Sequence, residues 1–184
     1  MAALSSFKAF CLTHFSKPAS DRVLYRLIEK HKVRRILELG LGDACRAVRM
    51  IEMAQRCSPE DRIAYTGTDL FEGRGETEGA VLTLKEVYQR LGATGAKIRL
   101  VPGDSFTALS RTANGLTDTD LVVISASETL ASVERAWFYL PRVIHERSIV
   151  VREELRSNDK LAMRVLESSE IAKLARVDQV RRAA

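Results

Sequence analysis

The chain has 184 residues, of which 46% are hydrophobic, with a net charge of +5 and three cysteines. That length fits one domain with a real core, and no apolar run approaches the roughly 20 residues of a membrane span. Cys11, Cys45 and Cys57 have no metal-ligand spacing and leave at least one thiol unpaired, which favours a reducing, cytoplasmic setting over a disulfide scaffold.

The stretch from Met1 to Phe15 is mildly apolar, but Lys8 interrupts it and no basic leader or cleavage site follows, so no signal peptide is expected. Ser20 is placed to cap a helix with Val23, Leu24, Leu27 and Ile28 on one face. A first strand is expected over 35–39, then a glycine turn and a helix from Asp43 that ends before Pro59. A second strand (63–68) leads into a polar, glycine-rich loop (70–78) and a helix (80–91) that stops at Gly92. A third strand (97–101) precedes Pro102-Gly103-Asp104 and a short helix (106–111). The β-branched run 121–124 reads as a strand buried on both faces. A helix (128–144), a fifth strand (148–151) and a last helix (159–175) follow, with Arg181-Arg182 on a frayed tail. Such alternation implies right-handed βαβ crossovers and a mainly parallel sheet, with ligands beyond the carboxyl ends of its strands.

The first of those ends is Glu38-Leu39-Gly40-Leu41-Gly42-Asp43-Ala44. Gly40 and Gly42 allow backbone to approach a ligand closely. A dinucleotide would use G-x-G-x-x-G and rest its pyrophosphate on the helix amides. Here Cys45 stands at the third glycine position, and Asp43 would compete for those amides and repel phosphate. A nicotinamide oxidoreductase is disfavoured further by the lack of a Tyr-x-x-x-Lys set. A ligand with a positive centre and no phosphate, such as S-adenosylmethionine, tolerates that environment better. Plain strand-turn-helix punctuation would give the same two glycines. The second strand ends in Asp69-Leu70-Phe71 and the third in Asp104-Ser105-Phe106. One carboxylate has acceptors for both ribose hydroxyls, so Asp69 suits that role, with Leu70 and Phe71 against the adenine faces. Asp104 with Ser105 suits the adenine amine. A turn cap at Asp69 and a helix N-cap at Asp104 explain the same residues.

This succession resembles class I S-adenosylmethionine-dependent methyltransferases, with Ala44 in place of the last glycine of E-x-G-x-G-x-G. It looks most like the small-molecule O-methyltransferases of the macrocin and catechol type. Thr66-Gly67-Thr68-Asp69-Leu70-Phe71-Glu72-Gly73 is similar to that branch's second strand, and Leu121-Val122-Val123-Ile124-Ser125 with Tyr139-Leu140-Pro141 to its fourth strand and following helix. The resemblance implies an α/β, Rossmann-like methyltransferase sandwich with sheet order 3-2-1-4-5. It implies one domain over 1–184: a helical segment (1–33), a cofactor-binding core (34–155) and a C-terminal helix and tail (156–184). It also implies S-adenosylmethionine as cofactor, held by Glu38, Gly40, Gly42, Asp69, Leu70, Asp104, Ser105 and Ser125.

The departures shape the functional expectation. The branch commonly ends its fourth strand in Asp-x-Asp, which serves a divalent metal; here Ser125 and Ser127 stand there. Neutral hydroxyls are poor ligands for a hard cation, and Arg152 on the fifth strand adds charge against one, although Glu153 and Glu154 follow it. The usual terminal antiparallel hairpin is not evident, so the C-terminus reads as shortened. Two readings remain. One is a metal-independent methyltransferase with a small-molecule acceptor, its base unassigned among His14, His31, His145 and Glu128. The other is a catalytically inactive relative that binds the cofactor or serves a structural role. Neither calls for a membrane. The scattered basic residues, mixed with acids and without interleaved aromatics, read as a solvated surface, not a nucleic-acid site. An exposed edge at the fifth strand would need cover from the last helix or from a homodimer partner.

Overall fold

Apolar residues on alternating sides of β1 (Arg35–Leu39) and β4 (Thr119–Ile124) place these strands at the centre of a six-stranded sheet. A computed structural model describes residues 4–73, 82–156 and 160–183, with side chains as far as Arg176. The strand order is β3-β2-β1-β4-β5-β6, where β2 is Ala64–Asp69, β3 Lys97–Pro102, β5 Ile144–Leu155 and β6 Leu161–Leu166. The first five strands are parallel and β6 runs antiparallel to β5. The expected 3-2-1-4-5 order is therefore present, with one strand added.

Side chains alternate across a strand, so each central strand feeds two cores. Ile36, Tyr65, Leu121 and Val123 pack with α2 (Arg22–His31), α3 (Cys45–Cys57) and α4 (Leu84–Gly92), and α1 (Ser6–Phe15) joins them through Ala9 and Leu12. On the opposite face Leu37, Leu39, Val122 and Ile124 pack with α5 (Ser105–Thr112), α6 (Leu130–Ala136), α7 (Leu140–Val143) and α8 (Ser168–Ala183). Among the described residues no helix is long and apolar enough to cross a membrane.

Several boundaries differ from the sequence expectation for physical reasons. Ser20 does not cap α2: it lies in a 3-10 turn, its hydroxyl lacks a described partner, and the helix begins at Arg22. The helix expected from Asp43 starts at Cys45, because Gly40, Gly42 and Ala44 all take positive φ (81°, 64° and 61°), and helical φ is negative. The loop expected over 70–78 lies outside the described residues from 74 onward, as do residues 80 and 81 of the following helix. That helix starts at Leu84 on a Thr83–Glu86 capping box. The long helix expected over 128–144 is two short ones, α6 and α7.

The largest correction is at the C-terminus. The helix expected from residue 159 is β6 over Leu161–Leu166, and helix α8 begins only at Ser168; residue 159 itself lies outside the described residues. Only Arg164 is polar among Leu161–Leu166, so no period of two marks this short run as a strand rather than a helix. Arg164 then bridges Glu154 and Glu170 at about the same 3 Å distance. The antiparallel hairpin not evident in the sequence is thus β5–β6. It covers the edge of β5, the task assigned to the last helix or a second copy. Arg181 and Arg182, expected on a frayed tail, belong to the backbone of α8.

Candidate functional site

The carboxyl ends of β1 and β2 are tied to one another. Gly40 and Leu41 donate their N–H groups to the Thr68 carbonyl (3.0 and 3.1 Å). Gly42 donates its N–H to Asp69 Oδ2 at 2.8 Å, and Phe71 donates to Oδ1 at 3.3 Å. Leu41 is buried, and its Cδ1 stands where a Cβ at Gly67 would be, so β2 needs glycine there. Gly42 faces open space: nothing lies within 4 Å of a Cβ built on it. Leu70, 42% exposed, stands on the rim beside Asp69, whereas Phe71, expected beside it on the adenine, is packed into the core at 2% exposure. Asp43 Oδ1 accepts the Cys45 N–H (2.9 Å), so the carboxylate expected to exclude phosphate does occupy a helix amide.

At the end of β3, Asp104 is the N-cap of α5, its Oδ1 accepting the Thr107 N–H at 2.7 Å. Ser105 is fully buried and donates both its N–H (2.9 Å) and its Oγ–H (2.6 Å) to Glu128 Oε2. A Cβ at Gly40 would sit 3.0 Å from Glu128 Cγ, Ser125 Cβ and Ser127 Oγ, so the loop after β4 packs against Gly40 and leaves Gly42 open. Burial pushes the Glu128 carboxyl up, the Ser105 donors oppose this, and the charges of Asp69 and Asp104 add to the rise.

Beneath the turn lies a cluster that the sequence reading did not assemble. Glu38 is 0% exposed; its Oε1 accepts Arg46 Nε at 2.7 Å and its Oε2 accepts the Tyr65 hydroxyl. Arg46 Nη1 donates to Glu153 Oε1 at 3.2 Å and lies 3.7 Å from Asp21 Oδ1. Three buried carboxylates therefore share one guanidinium. Burial pushes Asp21 up to about 6 against the pull of Arg46, and burial raises Glu38 in the same way. Glu153 Oε2 accepts from Ser125 Oγ (3.3 Å) and the Ala126 N–H (3.2 Å), while Ser127 Oγ donates to Ser125 Oγ (3.0 Å). The signal for Arg46 was present in principle. A cation in the first turn of a helix opposes the dipole, and a buried Glu38 demands a partner.

The eight residues assigned to a cofactor are thus brought to one end of the sheet. Glu38 and Ser105 are closed off beneath it, and Leu70 stands open. Arg152 is placed differently from the expectation: alternation puts it on the face opposite Glu153, where it acts on Glu170 of α8. His31 and His145 lie at the amino end of the sheet, and His14 stacks on Phe10 of α1. Among the described residues, no group of three or more His, Cys, Asp or Glu is arranged to hold a metal ion.

No protein-family model matches the chain, and no curated protein matches it in sequence. Solved structures do match. The calicheamicin methyltransferase CalS11 superposes with a TM-score of 0.59 at 15% identity, over 95% of this chain and 72% of that one. The O-methyltransferase TomG from Streptomyces achromogenes, involved in tomaymycin synthesis and solved with S-adenosylmethionine, gives 0.55 at 15% identity, over 100% and 79%. Precorrin-6y C5,15-methyltransferase from Geobacter metallireducens gives 0.51 at 18% identity, over 78% of this chain and 66% of that one, just under two thirds of its length. The chain has the Rossmann-like fold of the class I methyltransferases.

Proposed function

We propose that the chain binds S-adenosylmethionine at the carboxyl ends of β1, β2 and β3 and methylates a small molecule without a resident metal. The observation that carries this is an open glycine turn at Gly42 set among the carboxylates of Asp69, Asp104 and Glu128. Such a set suits a ligand that is cationic and rich in hydroxyls, and it disfavours a phosphate. When bound, the sulfonium supplies an activated methyl group with a good leaving group, so positioning an acceptor in line can carry much of the rate.

In this reading Asp69 accepts the ribose hydroxyls in exchange for the Gly42 N–H, and Leu70 offers apolar surface to the adenine. Asp104 keeps one oxygen on its cap and presents the other to the adenine amine. Ser105 acts through Glu128, and Glu38 acts through Arg46. Ser125 and Ser127 offer no carboxylate to a divalent cation, so turnover is expected to survive chelation. A second reading, a binding protein without turnover, is favoured by one observation: every acid named here is already engaged inside the protein.

Titrating S-adenosylmethionine and S-adenosylhomocysteine by calorimetry tests the binding step. Methyl transfer to a panel of phenols and hydroxylated small molecules, with and without EDTA, tests the chemistry. Binding with turnover in EDTA upholds the proposal. Turnover restored only by Mg²⁺ overturns its metal-free part, binding without turnover selects the second reading, and binding of neither ligand overturns both.

A further inference from the structure

Parallel strands all begin at one end of a sheet, so residues far apart in sequence meet there. Arg34 and Arg35 open β1, Arg62 stands two residues before β2, Lys97 opens β3 with Arg99 two residues on, and Arg147 lies near the start of β5. Helix α2 ends beside them with Lys30 and then Lys32. Basic residues that look scattered along the chain therefore converge on one rim, opposite the glycine turn.

The rim is concave and continuous. One hollow of 470 Å³ runs from Lys30 and Lys32 to Arg147. It shares Arg34 and Arg147 with a second hollow of 670 Å³, which reaches Arg35 and Arg62. Those two arginines also line a third hollow of 420 Å³, whose other charged residues are Lys97 and Arg99, above Ala64 and Thr66. The third hollow contains no acidic residue. Helix α5 has only 8 residues, and the Gly115–Thr117 turn that follows it forms the other wall.

The charges on this rim are unbalanced. Its acids are Asp61, Asp118, Asp120 and Glu146. Asp61 pairs with Arg34 (3.6 Å) and Asp118 with Arg35 (3.5 Å), while Asp120 Oδ2 accepts the backbone N–H groups of Arg34 and Arg35 (both 2.8 Å). Asp120 Oδ1 lies 3.2 Å from His145 Nε2. Lys30, Lys32, Arg62, Lys97, Arg99 and Arg147 form no ion pair with any described residue. Leaving cations unpaired and close together raises their mutual repulsion, which an extended polyanion relieves.

We propose that this rim binds the phosphate backbone of a nucleic acid, independently of base sequence. Guanidinium forks match phosphate oxygens, and the rim has five arginines among its eight cations. None of its residues is an exposed large apolar side chain, which removes both a wedge for a bilayer and an anchor for a protein partner. Among the described residues no Phe, Tyr or Trp is exposed there, which removes the strongest base-stacking platforms and leaves the backbone as the main feature read. Strand β1 separates rim and glycine turn by 5 residues, about 17 Å at roughly 3.3 Å each, so the phosphates held at the rim are not themselves at the glycine turn.

The test is fluorescence anisotropy of the full chain with a labelled 20-nucleotide single-stranded RNA and its duplex, from 50 to 200 mM salt. Affinity is expected to fall steeply with salt and to be unchanged when the sequence is scrambled. The exposed triple variant Arg62→Gln, Lys97→Gln, Arg99→Gln is expected to bind at least tenfold more weakly and with a shallower salt slope. Removing the same charge elsewhere, by Arg26→Gln, Lys85→Gln and Lys173→Gln, is expected to change affinity less than threefold. Equal losses in the two triples would reduce the effect to net charge and overturn the proposal. So would no binding at 50 mM salt, or phosphatidylserine vesicles or polyglutamate binding more tightly than RNA.

Discussion

Asp69 Oδ2 accepts the Gly42 N–H at 2.8 Å, so the acid that ends β2 holds the second glycine of the turn that ends β1. The same carboxylate would receive the ribose. Asp69→Ala is expected to weaken S-adenosylmethionine binding by about 1.5–3 kcal/mol, the range for hydrogen bonds to a charged group. Asp69→Asn keeps the shape but gives up the charge and one acceptor, and should lose less. Dissociation constants of parent and variants check this, with urea midpoints measured alongside so that a loosened turn is not mistaken for a lost ligand contact. Unchanged affinity in Asp69→Ala would remove this residue from the site.

Gly40 and Gly42 both take positive φ, but their surroundings differ. A Cβ at Gly40 meets Glu128, Ser125 and Ser127 at 3.0 Å, whereas one at Gly42 meets nothing within 4 Å. Gly42→Ala should therefore cost only left-handed strain, about 1–2 kcal/mol. Gly40→Ala adds a displaced loop after β4 and is expected to cost more, about 2–5 kcal/mol, since overpacking adds roughly 1–3 kcal/mol. Urea unfolding of the two variants ranks them. The reverse order would mean that the loop after β4 yields freely.

The parallel core was legible because its signals are local. Strand 121–124 is a continuous apolar run, strand 35–39 carries Ile36, Leu37 and Leu39 just before a glycine turn, and each glycine or Pro-Gly pair punctuates an end. β6 was not, because six residues with Ala162 and Arg164 between apolar neighbours fit a helix as readily as an edge strand. Strand ends were legible as places, so Glu38, Asp69 and Asp104 were found together. Their partners were not: Arg46, Tyr65, Glu153 and Asp21 reach Glu38 or its cluster from four different elements, and only the fold fixes which side chains share a space. The basic rim failed for the same reason, since a scan along the chain cannot see that strand starts coincide.

Among the described residues, Arg46 is the only cation within ion-pair distance of Glu38, Glu153 and Asp21. Arg46→Met keeps the length of the side chain and removes its charge. Breaking a buried ion pair by deleting one partner typically costs about 3–5 kcal/mol, because the remaining charges stay buried. That loss is expected at pH 7 and should shrink toward pH 5, as the orphaned carboxylates take up protons. Glu38→Gln combined with Arg46→Met should recover part of the loss. Urea unfolding of the single and double variants measures the coupling, and strictly additive losses would show that the two residues act separately.

Asp21 gives the sharpest pH prediction. Burial raises its carboxyl from 3.8 to about 6, with Arg46 pulling the other way. The native state thus keeps a proton between about pH 4 and pH 6 that the unfolded state has released. Stability rises with pH only where the unfolded state holds more protons, so across this window Asp21 makes stability fall as pH rises. The penalty is absent below the unfolded value and complete above the folded one. A shift of this size sets a ceiling of about 3 kcal/mol at neutral pH, at 1.36 kcal/mol per unit. Asp21→Asn removes the ionisation but also one of the three counter-charges of Arg46, so the expected net gain at pH 7 is smaller, about 1 kcal/mol. Below pH 4 the variant and the parent should be nearly equal. Urea midpoints at pH 4, 5, 6 and 7 give both curves, and a variant that keeps the parent's decline between pH 4 and 6 would place the responsible proton elsewhere, with Glu38 the next group to replace.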